Sequence, residues 1–418
     1  MKRPTKLTYE TSLTRVTIFS YLNYQRGTSM VIKIIVILIG FAFHTIAASP
    51  LLKVHHSEQH SFVTEVVNDE LNFPWGIAFL PSGEILITEK KSKKLRIIRN
   101  GKLVQKSIKG LPTNIDSSGQ GGLLDVLVHP LFHQNNTIFL SYSGIGEGGK
   151  GTEVIRAKLK GHKLINIDKI FAVEPKTKGS HHYGSRMEFA ADGSLFITVG
   201  DRYFEMKEAQ NPENHLGTVL RINEDGSIPK DNPFVKHKTY KPEIYSYGHR
   251  NGQGLARRAS DNTMWMHEHG PRGGDELNLL DKPGANFGWP TITYGIDYSG
   301  AIISDKTHAK SMEQPIVYWV PSIAPCGMTF YSGTKFPKWK DNLFIGALRG
   351  SHLRRLVLKG KRVIKQEVLL KNFGRIRDVV TGPDDNLYFI TDAAEAQLIK
   401  ISPISTKKTS KSEHTQDQ

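Results

Sequence analysis

Apolar and polar positions alternate in short runs along most of this chain, and no long stretch between residues 60 and 403 carries a helical period. The β-rich runs are separated by clusters of Gly, Pro, Asp and Asn, the punctuation of strands and turns. One pattern keeps returning: an alternating strand, a tight turn, then a second strand. It stands at 75–90 (WGIAFLPSGEILITEK), 123–143, 185–201, 327–348 and 376–392, with a weaker copy at 253–270. Ser82-Gly83, Asp192-Gly193 and Asp385-Asn386 occupy the turns and tolerate the positive φ that such hairpins need. Third strands follow several copies, at 94–104, 352–363 and 396–403. Six copies of a small antiparallel unit predict an all-β fold, a six-bladed β-propeller of four-stranded antiparallel blades over residues 60–403. A large sandwich or two β domains are the rival folds. In a propeller each blade buries its faces on its neighbours, and long inter-blade loops leave room for a site.

Composition agrees with a packed core. Of 418 residues 38% are hydrophobic, and the 38 Gly and 20 Pro are too dispersed for a fibrous or disordered chain. A lone cysteine, Cys326, excludes an internal disulfide framework and any Cys-rich metal site, and it reads as a small packed residue. The formal net charge of +16 includes +5 over residues 1–48, where six Lys/Arg oppose one Glu, and +1 over 404–418. The remaining +10 is scattered. Without a recognition-helix pattern or a dense basic run, it reads as a solvated surface and predicts no nucleic-acid partner.

The two ends differ from the repeats. Lys33 precedes an apolar run, IIVILIGFAF, and the small residues Ala47-Ala48-Ser49. This predicts a signal peptide at 30–48 and export to the periplasm or beyond, with membrane attachment only through an uncleaved signal. Residues 1–29 fit neither a signal nor a packed domain and read as a non-native upstream extension, with translation starting at Met30. The polar tail 404–418 is predicted to be disordered.

Two motifs mislead. Gly144–Gly149 matches GxGxxG, but the alternating run TEVIRAKL follows it where a nucleotide site needs a helix, so it reads as a hairpin loop. His267-Glu268-His269 places two imidazoles on one face of a strand, yet no third zinc ligand stands at a defined spacing.

The polar residues that look out of place lie just outside the strands. Gly119-Gln120-Gly121-Gly122, Ser180-His181-His182-Tyr183-Gly184 and Gly248-His249-Arg250-Asn251-Gly252-Gln253-Gly254 open three units. His269 to Glu276 leaves the fourth, Ala347 to Gly350 the fifth, and Gly374-Arg375-Ile376-Arg377-Asp378 opens the sixth. Radially arranged blades bring such loops to one end of the channel. The set offers one or two imidazoles, amides and at least four guanidinium groups, suited to a polyanionic ligand beside a proton acceptor.

Together GQGG, HHYGSR, GHRNGQG, HGPRGGDELN with NFGWP, and GRIRD resemble the soluble quinoprotein aldose sugar dehydrogenases, related to soluble glucose dehydrogenase. The likeness runs in order from about residue 62 to 402, with GHRN and HGPRGGDE its most specific parts. It implies pyrroloquinoline quinone (PQQ), an ortho-quinone with three carboxylates, and Ca²⁺ as cofactors. By the resemblance, Arg349, Arg375 and Arg377 hold carboxylates and quinone oxygens, and Arg250 and Asn251 meet the quinone edge. Gly270 and Pro271 offer backbone carbonyls to the catalytic Ca²⁺, which prefers such oxygens. Glu276, with a carbonyl near Phe287, matches a second, structural Ca²⁺ position. His182 matches the base that takes the anomeric hydroxyl proton of an aldose while hydride leaves C1, giving a lactone. Gln120 contacts the sugar or the base.

The chain departs from the glucose dehydrogenase branch in places. His181 rather than Asp precedes the base, so the usual carboxylate partner is missing there, Arg349 stands for Lys, and Val320 replaces an aromatic residue. Neither the sugar nor the external electron acceptor, a cytochrome or a quinone, follows from the residues, and the chain is expected as a monomer or homodimer. A Ca²⁺-dependent lactonase-type hydrolase and a non-catalytic binding propeller remain the alternatives. The lactonase would not need the arginine set.

Overall fold

The computed structural model describes residues 53–404. The signal peptide expected at 30–48, the extension before it and the polar tail from 405 lie outside the described residues. Among the described residues, strands form six antiparallel sheets in which strands pair with their neighbours along the chain, except where Ser61–Leu71 pairs with Ala396–Pro403. Five sheets have four strands. The repeats read from the sequence are the first two strands of each sheet: Pro74–Phe79 with Ile85–Glu89 in blade 1, and Leu123–Val128 with Thr137–Gly146 in blade 2. Blades 3 to 6 begin with Met187–Phe189, Gly252–Arg257, Pro325–Phe330 and Ile376–Thr381. Each of these first strands touches the first strand of the next blade, and blade 6 touches blade 1. The ring is therefore closed, and the fold is a six-bladed β-propeller.

Six apolar clusters lie between successive blades. Leu86, Leu95 and Ile97 of blade 1 pack on Leu140 and Ile155 of blade 2, and the pattern repeats round to Ile390 and Leu398 against Ile77 and Ile87. Both faces of a blade are buried, so a blade has little independent stability and the ring forms as a unit. The ring is locked in the last blade: Ser61–Leu71 pairs with Ala396–Pro403, so one sheet holds both ends of the repeat region. Lys53–His56 adds a fifth edge strand to that sheet, upstream of the start expected at residue 60.

The turn chemistry is as predicted, with Gly83 at φ 86°, Gly193 at 84° and Asp385 at 60°. Residues 144–149 form the tip of a hairpin in which Gly146 faces Gly149. His267 and His269 direct Nε2 to the carbonyls of Gly327 and Pro325.

The axis is held by one side chain. Arg186, just before the first strand of blade 3, donates to Asp125 Oδ1 of blade 2 (3.2 Å) and Asp378 Oδ2 of blade 6 (2.8 Å). It also donates to the carbonyls of Gln253 in blade 4 (3.0 Å), Trp75 in blade 1 (3.4 Å) and Arg377 (3.1 Å). Cys326 Sγ of blade 5 lies 4.0 Å away, and the guanidinium covers the Trp75 ring at 4.0 Å. One guanidinium thus reaches every other blade.

Candidate active site

In an antiparallel hairpin the start of the first strand and the end of the second share one rim. The loops before first strands and the residues after second strands therefore gather at one mouth of the ring. Five blades also carry a bulge within their first strand, near this rim, between Pro74 and Ile77, Leu123 and Val126, Gly252 and Gly254, Cys326 and Met328, and Ile376 and Asp378. A bulge turns a side chain that would alternate regularly. Asp125, Gln253 and Arg377 stand at three of them.

A cavity of about 260 Å³ opens at this rim. Trp75, Leu124, Tyr183 and Leu348 give it apolar walls, Gln120, Asn251 and Gln253 an amide side, and Lys90, Arg375 and Arg377 a cationic side with Asp392. Asp392 Oδ2 accepts from Arg375 Nε (3.1 Å) and Nη2 (2.9 Å) and from Arg377 Nη2 (3.0 Å). Burial opposes the charge of this carboxyl, but Arg377 and Lys90 hold it down at about 2. Three cationic side chains against one carboxylate leave the lining at +2. Arg377 Nε and Tyr183 Oη are buried without a hydrogen-bond partner among the described residues. A flat, conjugated polyanion fits such walls, because it stacks on the apolar faces and takes up the unpaired donors.

His182 directly precedes Tyr183 and Gly184, which stand in the cavity wall. Its backbone N–H donates to Gln120 Oε1 (2.8 Å), which ties the GQGG loop to the HHYG loop. Its φ of 50° is left-handed, a strained conformation for a side chain with a Cβ and one that concentrates at functional sites. Sequence reasoning found no carboxylate partner for this histidine because His181 precedes it; the structure corrects that. Asp201, just past the second strand of blade 3, accepts from His182 Nδ1 at 2.7 Å. Trp289 Nε1 (2.8 Å) and the Tyr203 N–H (2.8 Å) hold the same carboxylate. The pair assigns the ring proton to Nδ1 and leaves Nε2 as an acceptor. Burial, reinforced by Arg250, outweighs Asp201 and lowers the His182 pKa, so the imidazole is neutral near pH 7.

Arg250 and Asn251 point different ways. Asn251 lines the large cavity and its Oδ1 accepts from the Gly184 N–H at 3.0 Å. Arg250 donates Nη1 to the carbonyls of His269 (3.0 Å) and Gly270 (2.7 Å). The HGPRGGDE turn is tight: a Cβ on Gly270 would collide with Gly274, and Gly273 and Gly274 adopt φ of 85° and 75°. Asp275 fastens it, accepting from the Gly270 N–H (2.9 Å), Ser322 Oγ and the Ile323 and Ala324 N–H groups.

A second cavity of about 10 Å³ lies beneath, lined by Arg250, Glu268, Gly270, Glu276 and Phe287 among others. It has room for roughly one water or ion. Asn278 Nδ2 bridges Glu268 Oε1 (2.9 Å) and Glu276 Oε2 (3.2 Å). Burial, and then the neighbouring Glu268, push the Glu276 carboxyl up to about 8. Among the described residues no three His, Cys, Asp or Glu side chains converge as a metal cage, so a cation here relies on carbonyls as well.

The structure thus brings Gln120, Asn251, Arg375 and Arg377 to one cavity and Arg250, Gly270, Glu276 and Phe287 to the other; His182 lines neither but directly precedes Tyr183 in the wall of the first, and Pro271 is buried beside Gly270. Arg349 lines neither; it is exposed, one residue past Leu348. Lys90, Asp201 and Asp392 were missed. Each follows the second strand of its blade, on the same rim as the motif loops, and that position was the signal available. Glu268, between two histidines that drew attention as zinc ligands, was missed as the partner of Glu276.

The glucose/sorbosone dehydrogenase family model matches residues 71–400. The chain belongs to that family. The glucose/sorbosone dehydrogenases are oxidoreductases, and this member is 41% identical over 345 residues to the aldose sugar dehydrogenase YliI of Escherichia coli (strain K12), covering 81% of this chain and 92% of that protein. The apo-form crystal structure of the soluble aldose sugar dehydrogenase from Escherichia coli superposes with a TM-score of 0.78 at 40% identity, over 81% of this chain and 99% of that one. The PQQ-bound aldose sugar dehydrogenase of Streptomyces coelicolor gives a TM-score of 0.67 at 25% identity, over 85% and 99% of the two chains.

Proposed function

We propose that this member of the family oxidises aldose sugars at the anomeric carbon to lactones, using PQQ in the large cavity and Ca²⁺, and passes the electrons to an external acceptor after export. The observation that carries this reading is the +2 cavity, with its unpaired Arg377 Nε–H, set beside a histidine oriented by Asp201. PQQ, when bound, supplies the two-electron acceptor that receives hydride from C1 of the sugar.

The chain's residues do the rest. Arg375 and Arg377 bind carboxylates, while Trp75 and Tyr183 present flat faces. Asn251 and Gln120 position amide groups at the same wall. His182 Nε2 takes the proton of the anomeric hydroxyl, and Asp201 stabilises the imidazolium that results. Gly270 and Pro271 would offer carbonyl oxygens to the catalytic Ca²⁺, the Gly270 oxygen being the one that accepts Arg250 Nη1. Glu276, Glu268 and the Phe287 carbonyl suit a second, structural Ca²⁺, whose charge compensates two buried carboxylates.

The test is reconstitution with PQQ and Ca²⁺, followed by dye reduction across a panel of mono- and disaccharides. Aldose-dependent reduction is expected, and His182→Ala should lower turnover roughly 10²- to 10⁴-fold with PQQ binding kept. No dye reduction with any aldose would leave a binding propeller. Lactone hydrolysis with Ca²⁺ alone would point to the hydrolase instead.

A further inference from the structure

We propose that Lys90 is a ligand for a carboxylate of the quinone, and that it makes cofactor retention fall as pH rises. The proposal rests on PQQ being the occupant of the large cavity. None of the motifs contains Lys90; its position in the fold brings it there. It directly follows the strand Ile85–Glu89, and its N–H donates to Phe73 O at 3.0 Å, which fixes its backbone at the rim. The GQGG loop makes room for its stem. Gly122 adopts φ 146°, and a Cβ there would collide with the Lys90 carbonyl oxygen and come within 2.5 Å of its Cγ.

The next residue provides a contrast. Lys91 donates Nζ to the carbonyls of Ser117 (3.1 Å) and Gly119 (2.7 Å), so its charge is used by the protein. Lys90 lines the cavity, and among the described residues its ammonium makes no hydrogen bond or ion pair. The only carboxylate in the lining, Asp392, is already shared by Arg375 and Arg377. A half-buried ammonium facing two guanidinium groups and a carboxylate they already share is left free to pair with an anion from outside the chain.

The same surroundings govern its titration. From blade 6 it faces Arg377, Arg375 and Asp392; Lys91 adjoins it, while Cys326 and the neutral His269 border the space from blades 5 and 4. Burial, and then Arg377, bring the Lys90 pKa down to about 8, against a weaker pull from Asp392. Below that value the ammonium is already charged when a carboxylate arrives; above it, pairing requires uptake of a proton and weakens as pH rises. A bound carboxylate favours the protonated form, so PQQ binding takes up a proton near pH 8.

The experiment is a titration of apo-protein with PQQ at fixed Ca²⁺, followed by cofactor absorbance at pH 7, 8 and 9, with the melting temperature of each variant as a folding control. Wild type should bind less tightly at pH 9 than at pH 7. Lys90→Gln should bind roughly tenfold more weakly at pH 7, with a flatter pH profile. Lys90→Arg, which stays charged, should keep its affinity at pH 9. If wild type binds PQQ and Lys90→Gln binds it equally with the same pH profile, the proposal is overturned and the functional reading stands. Wild type that binds no PQQ at any pH overturns both.

Discussion

Arg186 and Arg377 are both buried, both near the axis, and hydrogen-bonded to one another through the Arg377 carbonyl, yet they do different work. All three Arg186 nitrogens are donated to protein acceptors from four blades. Arg377 gives Nη1 to Cys326 Sγ (3.3 Å) and Nη2 to Asp392, and its Nε has no partner. A guanidinium whose donors are all used belongs to the framework; one with a spare buried donor beside a cavity is waiting for a ligand. Residue type and burial do not separate the two, but the state of their donors does.

The largest expected effect concerns the axis. Arg186→Met leaves Asp125 and Asp378 buried without their cation and should cost about 3–5 kcal/mol in urea unfolding. A variant as stable as wild type would show that the hub is dispensable and would remove one side of the contrast. Arg377→Met should instead weaken PQQ binding by about tenfold to a hundredfold, with apo-protein stability changed by only about 1 kcal/mol. If stability falls as far as in Arg186→Met, the spare donor is not what distinguishes the two.

The smallest effect extends the contrast to anions. Glu276, bridged only to Asn278 and pushed up to about 8, keeps a proton in the folded state that it loses at ordinary carboxylate pH when unfolded. Without Ca²⁺ its contribution to stability therefore falls as pH rises from about 4.5 towards 8. Melting scans should show stability falling over that window, restored by Ca²⁺ at pH 8, with the fall absent in Glu276→Gln. Equal Ca²⁺ stabilisation of wild type and Glu276→Gln would take Glu276 out of the ion site.

The blades were legible because a strand buried on both faces between tight turns leaves a local signature, as at 185–201. The motif loops were legible for a similar reason: Gly122, Gly254 and Gly270 have no space for a Cβ, and Gly273 and Gly274 need positive φ. Asp201 was not, because its tie to His182 spans from the end of one strand to the loop before another, and no short-range pattern encodes it. Lys90 and Asp392 escaped for the same reason. One lies in the first blade and the other in the last, and they meet only once the ring has closed. Arg349 is the converse: a motif position that matches the family, with its side chain exposed one residue past the cavity wall.

The pairing of Ser61–Leu71 with Ala396–Pro403 sets an order on biosynthesis. Until the final strand has left the ribosome, the sheet that carries Arg375 and Arg377 lacks the strand joining its two halves. The last of the six units to be made is thus also the one that completes the anion wall, and a truncated chain would emerge without a working binding site.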